Sequence, residues 1–368
     1  MLLGDVVIVG AGVMGCGIAL RLAQAGARVV VLERAVPGAE ASSAAAGILA
    51  AQEEADAPGP LFELGLRSRG LFPALAAELR AATGIDVGHR PTGVLRACFG
   101  EDDVAAAEAR YGWQRAAGLP LRWLRGAELA AAEPGIAPRI VAALRFPDDA
   151  QIEPRAYLRA LAQAAAAAGA RFRTGGYVRR VIERGGRAAG VDVDGETVAA
   201  GAVVVAAGSW SSLVEGAGPA ARAVRPMRGQ IVELETRPPA VRGVITGPGG
   251  YVVGRADGRV LCGSTMELAG FDKKVTAGGL RHVLDTALAL VPGLAEAPVT
   301  GSWANFRPFT DDKLPVLGEA PLAGLFLATG HFRNGILLSA VTAEILRDAV
   351  LGRPAGIDLG PFAPARLY

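Results

Sequence analysis

A two-domain α/β fold is predicted by three observations. The first 33 residues hold a strand, a glycine-punctuated turn, a helix and a second strand that ends in an acid. Two later β-branched runs end, like the first, in small residues and glycine. The chain has 368 residues, more than one hydrophobic core usually serves. A composition of 51% hydrophobic and 20% charged residues suits a packed chain and excludes a disordered one. The net charge of +2 offers no global attraction to nucleic acid or to an anionic membrane.

The first element is Asp5–Val6–Val7–Ile8–Val9, short and β-branched as a strand buried on both faces should be. It runs into Gly10–Ala11–Gly12–Val13–Met14–Gly15 and then a helical stretch to about Ala25. A second strand, Ala27 to Leu32, ends in Glu33. This order of parts binds dinucleotides. Gly10 permits the tight turn, Gly12 lets the backbone approach a pyrophosphate, and Gly15 lets helix and strand pack closely. The helix N-terminus offers unpaired N–H groups to the phosphates, and Glu33 can accept from the ribose hydroxyls.

The glycine turn alone does not separate FAD from NAD. After Glu33 an NAD domain would continue with alternating strands and helices. Here the chain enters Ala41–Ser42–Ser43–Ala44–Ala45–Ala46–Gly47–Ile48, a small-residue segment able to lie flat against a second ring system. Val203–Val204–Val205–Ala206–Ala207–Gly208–Ser209–Trp210 supplies a strand returning to the nucleotide domain. Leu325 to Gly330 is another, followed by His331–Phe332–Arg333–Asn334–Gly335–Ile336–Leu337 at the start of a final helix reaching about Val350. That helix N-terminus can face an anion, and a reduced flavin is a suitable one. The reading is a discontinuous FAD-binding domain with a separate substrate domain.

Cys16, Cys98 and Cys262 are scattered and odd in number, which argues against a disulfide framework and for a reducing compartment. His89, His282 and His331 have no metal-ligand spacing. Met1 to Asp5 carries an acid where a signal peptide needs a basic segment, and no apolar run approaches a membrane span. A soluble cytoplasmic protein is expected, with no metal, nucleic-acid or membrane partner.

With these segments in view, the chain resembles the D-amino-acid-oxidase superfamily of flavoenzymes, and within it the glycine oxidases that serve thiamine biosynthesis. The most specific matches are Ser43 to Gly47, Gly330 to Leu338, and Trp303 to Gly318 with Arg307–Pro308 inside it. Asp148–Asp149 to Glu153–Pro154 and the stretch on to Trp210 also fit. The resemblance implies an FAD-binding Rossmann-like domain from 1–88, 140–220 and 300–368. It implies an α+β substrate domain with an antiparallel sheet from 89–139 and 221–299. It places FAD contacts on Val13, Met14, Glu33, Arg34, Ala41, Ser42, Ala46, Gly47, Ile48, Val178 and His331 to Leu337. Gly208 joins them from the returning strand. It further implies a homo-oligomer, a tetramer in many members.

Amino-acid oxidation by a flavin needs a fixed carboxylate, a neutral amine and Cα–H held over the ring. Directional donors favour arginine for the carboxylate. By the resemblance Arg307 is that anchor, Arg333 a second substrate contact, Tyr251 a hydroxyl donor to the carboxylate, and Met266 an apolar wall. The plain alternatives are a surface Arg307, an Arg333 ion pair closing the flavin pocket, and core positions for Tyr251 and Met266. His282 is a weak candidate base on a surface helix, and His331 acts through its backbone. Gly249 stands where some glycine oxidases carry histidine, so a wider pocket open to small D-amino acids is expected. No cysteine follows Cys262, so FAD is expected to be non-covalent. The products would be an imine, then 2-oxoacid and ammonia, with hydrogen peroxide from oxygen. Three other readings stand: a D-amino-acid dehydrogenase passing electrons to a quinone, a non-catalytic FAD-binding subunit, and an NAD-dependent dehydrogenase.

Overall fold

The structure is a computed structural model that describes residues 6–368. The expected strand start at Asp5 and the segment Met1 to Asp5 lie outside the described residues.

The first β-branched run forms the strand Val6–Val9, buried throughout. Its side chains alternate, so Val6 and Ile8 join a core with the helices Val13–Gln24, Pro154–Ala167 and Gly335–Val350. Val7 and Val9 join a second core, against the antiparallel sheet of Val178–Arg184, Arg187–Val193 and Glu196–Ala199. Coverage on both faces is the reason every position of the run is apolar. The central sheet is ordered Val316–Glu319, Leu325–Thr329, Ala202–Val205, Val6–Val9, Val29–Glu33, Arg171–Thr174. All neighbours are parallel except the first pair. Strands from distant parts of the chain thus close around the first one.

The second sheet has eight strands, ordered Val299–Phe309, Arg225–Glu235, Arg259–Gly263, Gly250–Gly254, Val244–Gly247, Val94–Cys98, Ala142–Phe146, Arg122–Leu124. It is antiparallel apart from the pairing of Val244–Gly247 with Val94–Cys98. One face, carrying Leu95, Ile245, Val252 and Cys262, is buried in a core shared with the helix Ala277–Leu290. The other face turns toward the nucleotide domain, where Val94, Val244, Val253 and Leu261 pack under Ala46 and Ala50. Ala142–Phe146 and Val299–Phe309 pair in this sheet, although the expected boundaries at 140 and 300 put them in the FAD-binding segments. A strand's own residues show its periodicity but not its neighbour, so the sequence misplaced these two. Among the described residues no helix is long and apolar enough to cross a membrane.

Candidate active site

A cavity of ≈ 500 Å³ runs between the central sheet and the eight-stranded sheet. At one end the chain leaves Val9 through Gly10, whose φ of +101° disfavours any other residue. A Cβ there would stand 2.6 Å from the Ala206 carbonyl oxygen. The helix Val13–Gln24 begins with no side-chain cap from Gly12. Its Val13 N–H donates to Ser42 Oγ at 3.0 Å, and Gly10, Gly12, Val13 and Met14 line the cavity. Glu33 closes this end: its carboxylate accepts from the Ala11 N–H at 2.9 Å and the Ala35 N–H at 3.0 Å.

The short helix Ala41–Ala44 and the strand Ile48–Leu49 carry the small-residue segment along the cavity wall. Ala41, Ser42, Ala46, Gly47 and Ile48 line it, as do Val178 and Gly208. Trp303 Nε1 donates to the Ala44 carbonyl at 3.0 Å and ties this segment to the eight-stranded sheet. Arg34 lies over the Trp210 ring, 4.2 Å from its centroid, and pairs with Glu40. The final helix, Gly335–Val350, also starts without a side-chain cap, and Asn334, Gly335 and Ile336 line the cavity. Phe332, just before it, is held at φ +48°, an uncommon conformation for a bulky residue and one that clusters at functional sites. His331 is buried, and burial pushes its imidazole down to about 3, so the ring is neutral. Its Nε2 lies 3.1 Å from Thr342 Oγ1, and His331 lines the cavity.

At the other end Arg307, Tyr251, Arg333 and Met266 all line the cavity. Arg307 Nη1 donates to the Thr265 carbonyl at 3.1 Å and Nη2 to Ser264 Oγ. Among the described residues no carboxylate pairs with it. Burial lowers its affinity for the proton, with Tyr251 acting in the opposite direction. Burial also pushes the Tyr251 hydroxyl up, so it stays a neutral donor. Two glycines make room for these groups. A Cβ on Gly229 would stand 2.3 Å from Arg307 Nη1, and one on Gly263 would stand 2.5 Å from the Tyr251 hydroxyl oxygen.

A family model described as "FAD dependent oxidoreductase" matches residues 5–349. The chain belongs to the FAD-dependent oxidoreductase family. It is 38% identical to the glycine oxidase of Geobacillus kaustophilus (strain HTA426), over 98% of this chain and 97% of that one. It is 34% identical to the bifunctional protein ThiO/ThiG of Synechocystis, over 98% of this chain but 54% of that protein, so it spans about half of it. The crystal structure of glycine oxidase from Geobacillus kaustophilus superposes with a TM-score of 0.93, covering 99% of this chain and 98% of that one.

FAD fits this cavity on the structure's own terms. Two uncapped helix N-termini open on it, and a carboxylate stands at the dinucleotide turn. FAD, when bound, supplies a two-electron acceptor for the oxidation of substrate. Glu33→Ala is expected to weaken FAD by about 1–3 kcal/mol, the cost of losing hydrogen bonds to a charged acceptor. Fluorescence titration of the apoprotein checks it, and unchanged affinity assigns the ribose to another group. FAD is expected to be non-covalent, since Cys16, Cys98 and Cys262 are all buried away from the cavity lining. Acid precipitation should leave the yellow colour in the supernatant; colour in the pellet would show a covalent bond.

Several expectations change. Gly15 and Leu337 do not line the cavity. Gly15 keeps the packing role expected of it, because a Cβ there would lie 1.9 Å from the Gly10 carbonyl oxygen. Leu337 is 4% exposed and packs in the helical core. Arg333 donates to Glu54 at 2.7 Å, the ion pair that had been the alternative to direct substrate contact. Met266 is no core residue: it lines the cavity and is 58% exposed. His282 does not line the cavity, and its Nε2 is 3.2 Å from the Gly249 carbonyl oxygen. The expected opening at Gly249 is therefore backed by His282 and Thr286, whose nearest atoms lie 3.5 and 3.4 Å from where a Cβ would stand. The sequence reading missed Glu53, Glu54, Arg96 and Thr246, all on the cavity wall. Two adjacent acids one residue past an apolar run, after Gln52, were the available signal for the first two.

Proposed function

We propose that the chain oxidises glycine and other small amino acids, sarcosine and small D-amino acids among them, to the imine and 2-oxoacid with release of ammonia. Oxygen is the terminal acceptor and becomes hydrogen peroxide. One observation carries this reading: Arg307 presents a guanidinium that has no carboxylate partner among the described residues, beside the Tyr251 hydroxyl and next to the segment His331 to Ile336. A planar fork with a neutral hydroxyl donor at its side suits a substrate carboxylate. Arg333, held by Glu54, bounds the same end and adds positive potential to it. No side-chain base is required, because the amine can lose its proton to solvent before Cα–H is transferred. The three buried cysteines and the family's chemistry support a reducing, cytoplasmic setting.

Anaerobic mixing with glycine, sarcosine, D-alanine and D-proline tests the proposal. Loss of the yellow absorbance is expected with at least one of them. Readmitted oxygen should restore the colour with stoichiometric peroxide. No bleaching by any of the four would sink the substrate class, and bleaching without peroxide would favour a quinone acceptor.

A further inference from the structure

The cavity-facing side of the eight-stranded sheet changes character within one row of residues. Val94, Val244, Val253 and Leu261 form an apolar row across four strands. Two residues along the same strands, Arg96, Thr246, Tyr251 and Gly263 are again successive cross-strand partners. Partners in register share a face of the sheet. Arg96 therefore stands two strands from Tyr251, roughly 10 Å away at the usual strand spacing. Arg307 is on the opposite side of Tyr251, on the strand Val299–Phe309. A substrate whose carboxylate lies between Arg307 and Tyr251 thus has Thr246 and Arg96 ahead of it.

Arg96 is fixed where it stands. Its Nη1 donates to Glu53 Oε1 at 2.7 Å, and Thr246 Oγ1 donates to the same oxygen at 2.7 Å. Glu53 is 3% exposed, and its own N–H is held by Asp149 at 2.9 Å. Among the described residues Glu53 is the one acceptor of the Arg96 side chain, through Nη1, so Nε and Nη2 face the cavity for another group. The charges at this end decide which group. Arg96, Arg307 and Arg333 face Glu53 and Glu54, leaving one positive charge for the substrate carboxylate to balance. A second carboxylate or a second ammonium would leave an unmatched charge at this end of the cavity, whereas a neutral acceptor would not.

We infer that Arg96, held by Glu53 and Thr246, is a specificity-determining residue that selects small amino acids carrying a neutral hydrogen-bond acceptor beyond Cα, as D-serine does. This rests on the amino-acid oxidase reading above. A site built to bond such a group discriminates against the analogue that lacks it. D-serine should exceed D-alanine in kcat/KM by about tenfold or more, and D-aspartate should fall below D-serine by a similar factor.

The test measures these ratios in the FAD-loaded wild type and in the double variant Arg96→Met/Glu53→Gln, which removes both charges so that neither is stranded. The D-serine to D-alanine ratio should collapse to within about twofold of unity in the variant. A ratio, unlike a rate, is insensitive to a general loss of folded protein. Calorimetric titration with D-glycerate and D-lactate, which lack the amine, should show the same preference and the same collapse. A wild-type ratio near unity, a ratio that survives in the variant, or D-aspartate outrunning D-serine overturns the inference. If no amino acid bleaches the flavin, the oxidase reading fails instead, and the hydroxyacid titration still decides the role of Arg96.

Discussion

Arg307→Ala is expected to retain FAD and to lose activity on amino acids steeply. Truncating one partner of a desolvated charge pair costs about 2–5 kcal/mol, on the order of 30- to several-thousand-fold in kcat/KM. The loss should appear mainly in KM, because the anchor holds substrate before and during the reaction. Arg307→Lys should recover part of it, since an ammonium cannot reproduce a two-pronged fork. Amines without a carboxylate should be poor substrates for the wild type and lose little further activity in the variant. That comparison separates an anchor from a folding defect, which would lower both classes together. Equal harm to both would make Arg307 structural and move the search to Arg333.

Gly229→Ala should reproduce much of this effect without touching the arginine. The new methyl carbon would stand 2.3 Å from Nη1, 2.6 Å from Nη2 and 2.7 Å from Cζ of Arg307. All three atoms belong to the tip of a flexible side chain, so the backbone can stay while the guanidinium moves by about 1 Å. Misplacing a positioning group by that much can cost about 100-fold in rate. Alanine is also better tolerated than glycine in a strand interior, so the thermal midpoint and the flavin spectrum should hardly change. Full activity would show that the observed arginine position is not needed for turnover. Loss of flavin alongside activity would indicate a disturbed fold.

The dinucleotide turn was legible because its parts are neighbours: Gly10, Gly12 and Glu33 act within one strand–helix–strand unit. The returns at Val203 and Leu325 were legible for the same kind of reason, each being an apolar run ending in small residues. Tyr251 and Arg307 were found through resemblance, and they meet on the cavity wall. The domain boundaries were not legible at 140 and 300, because Ala142–Phe146 and Val299–Phe309 reveal their sheet only through distant partners.

By itself, then, the sequence determined what local spacing can express: a dinucleotide-binding unit, its acid and the two glycine-led helix starts, while resemblance pointed to the arginine for a carboxylate. The tertiary structure alone decided how the charges are shared. Arg333 belongs to Glu54 across 279 positions and Arg96 to Glu53 across 43. Nothing in a side chain's own neighbourhood encodes such a partner. An ion pair forms where backbone register and packing bring two groups within hydrogen-bond reach, and that proximity exists only once the sheets have closed on the cavity.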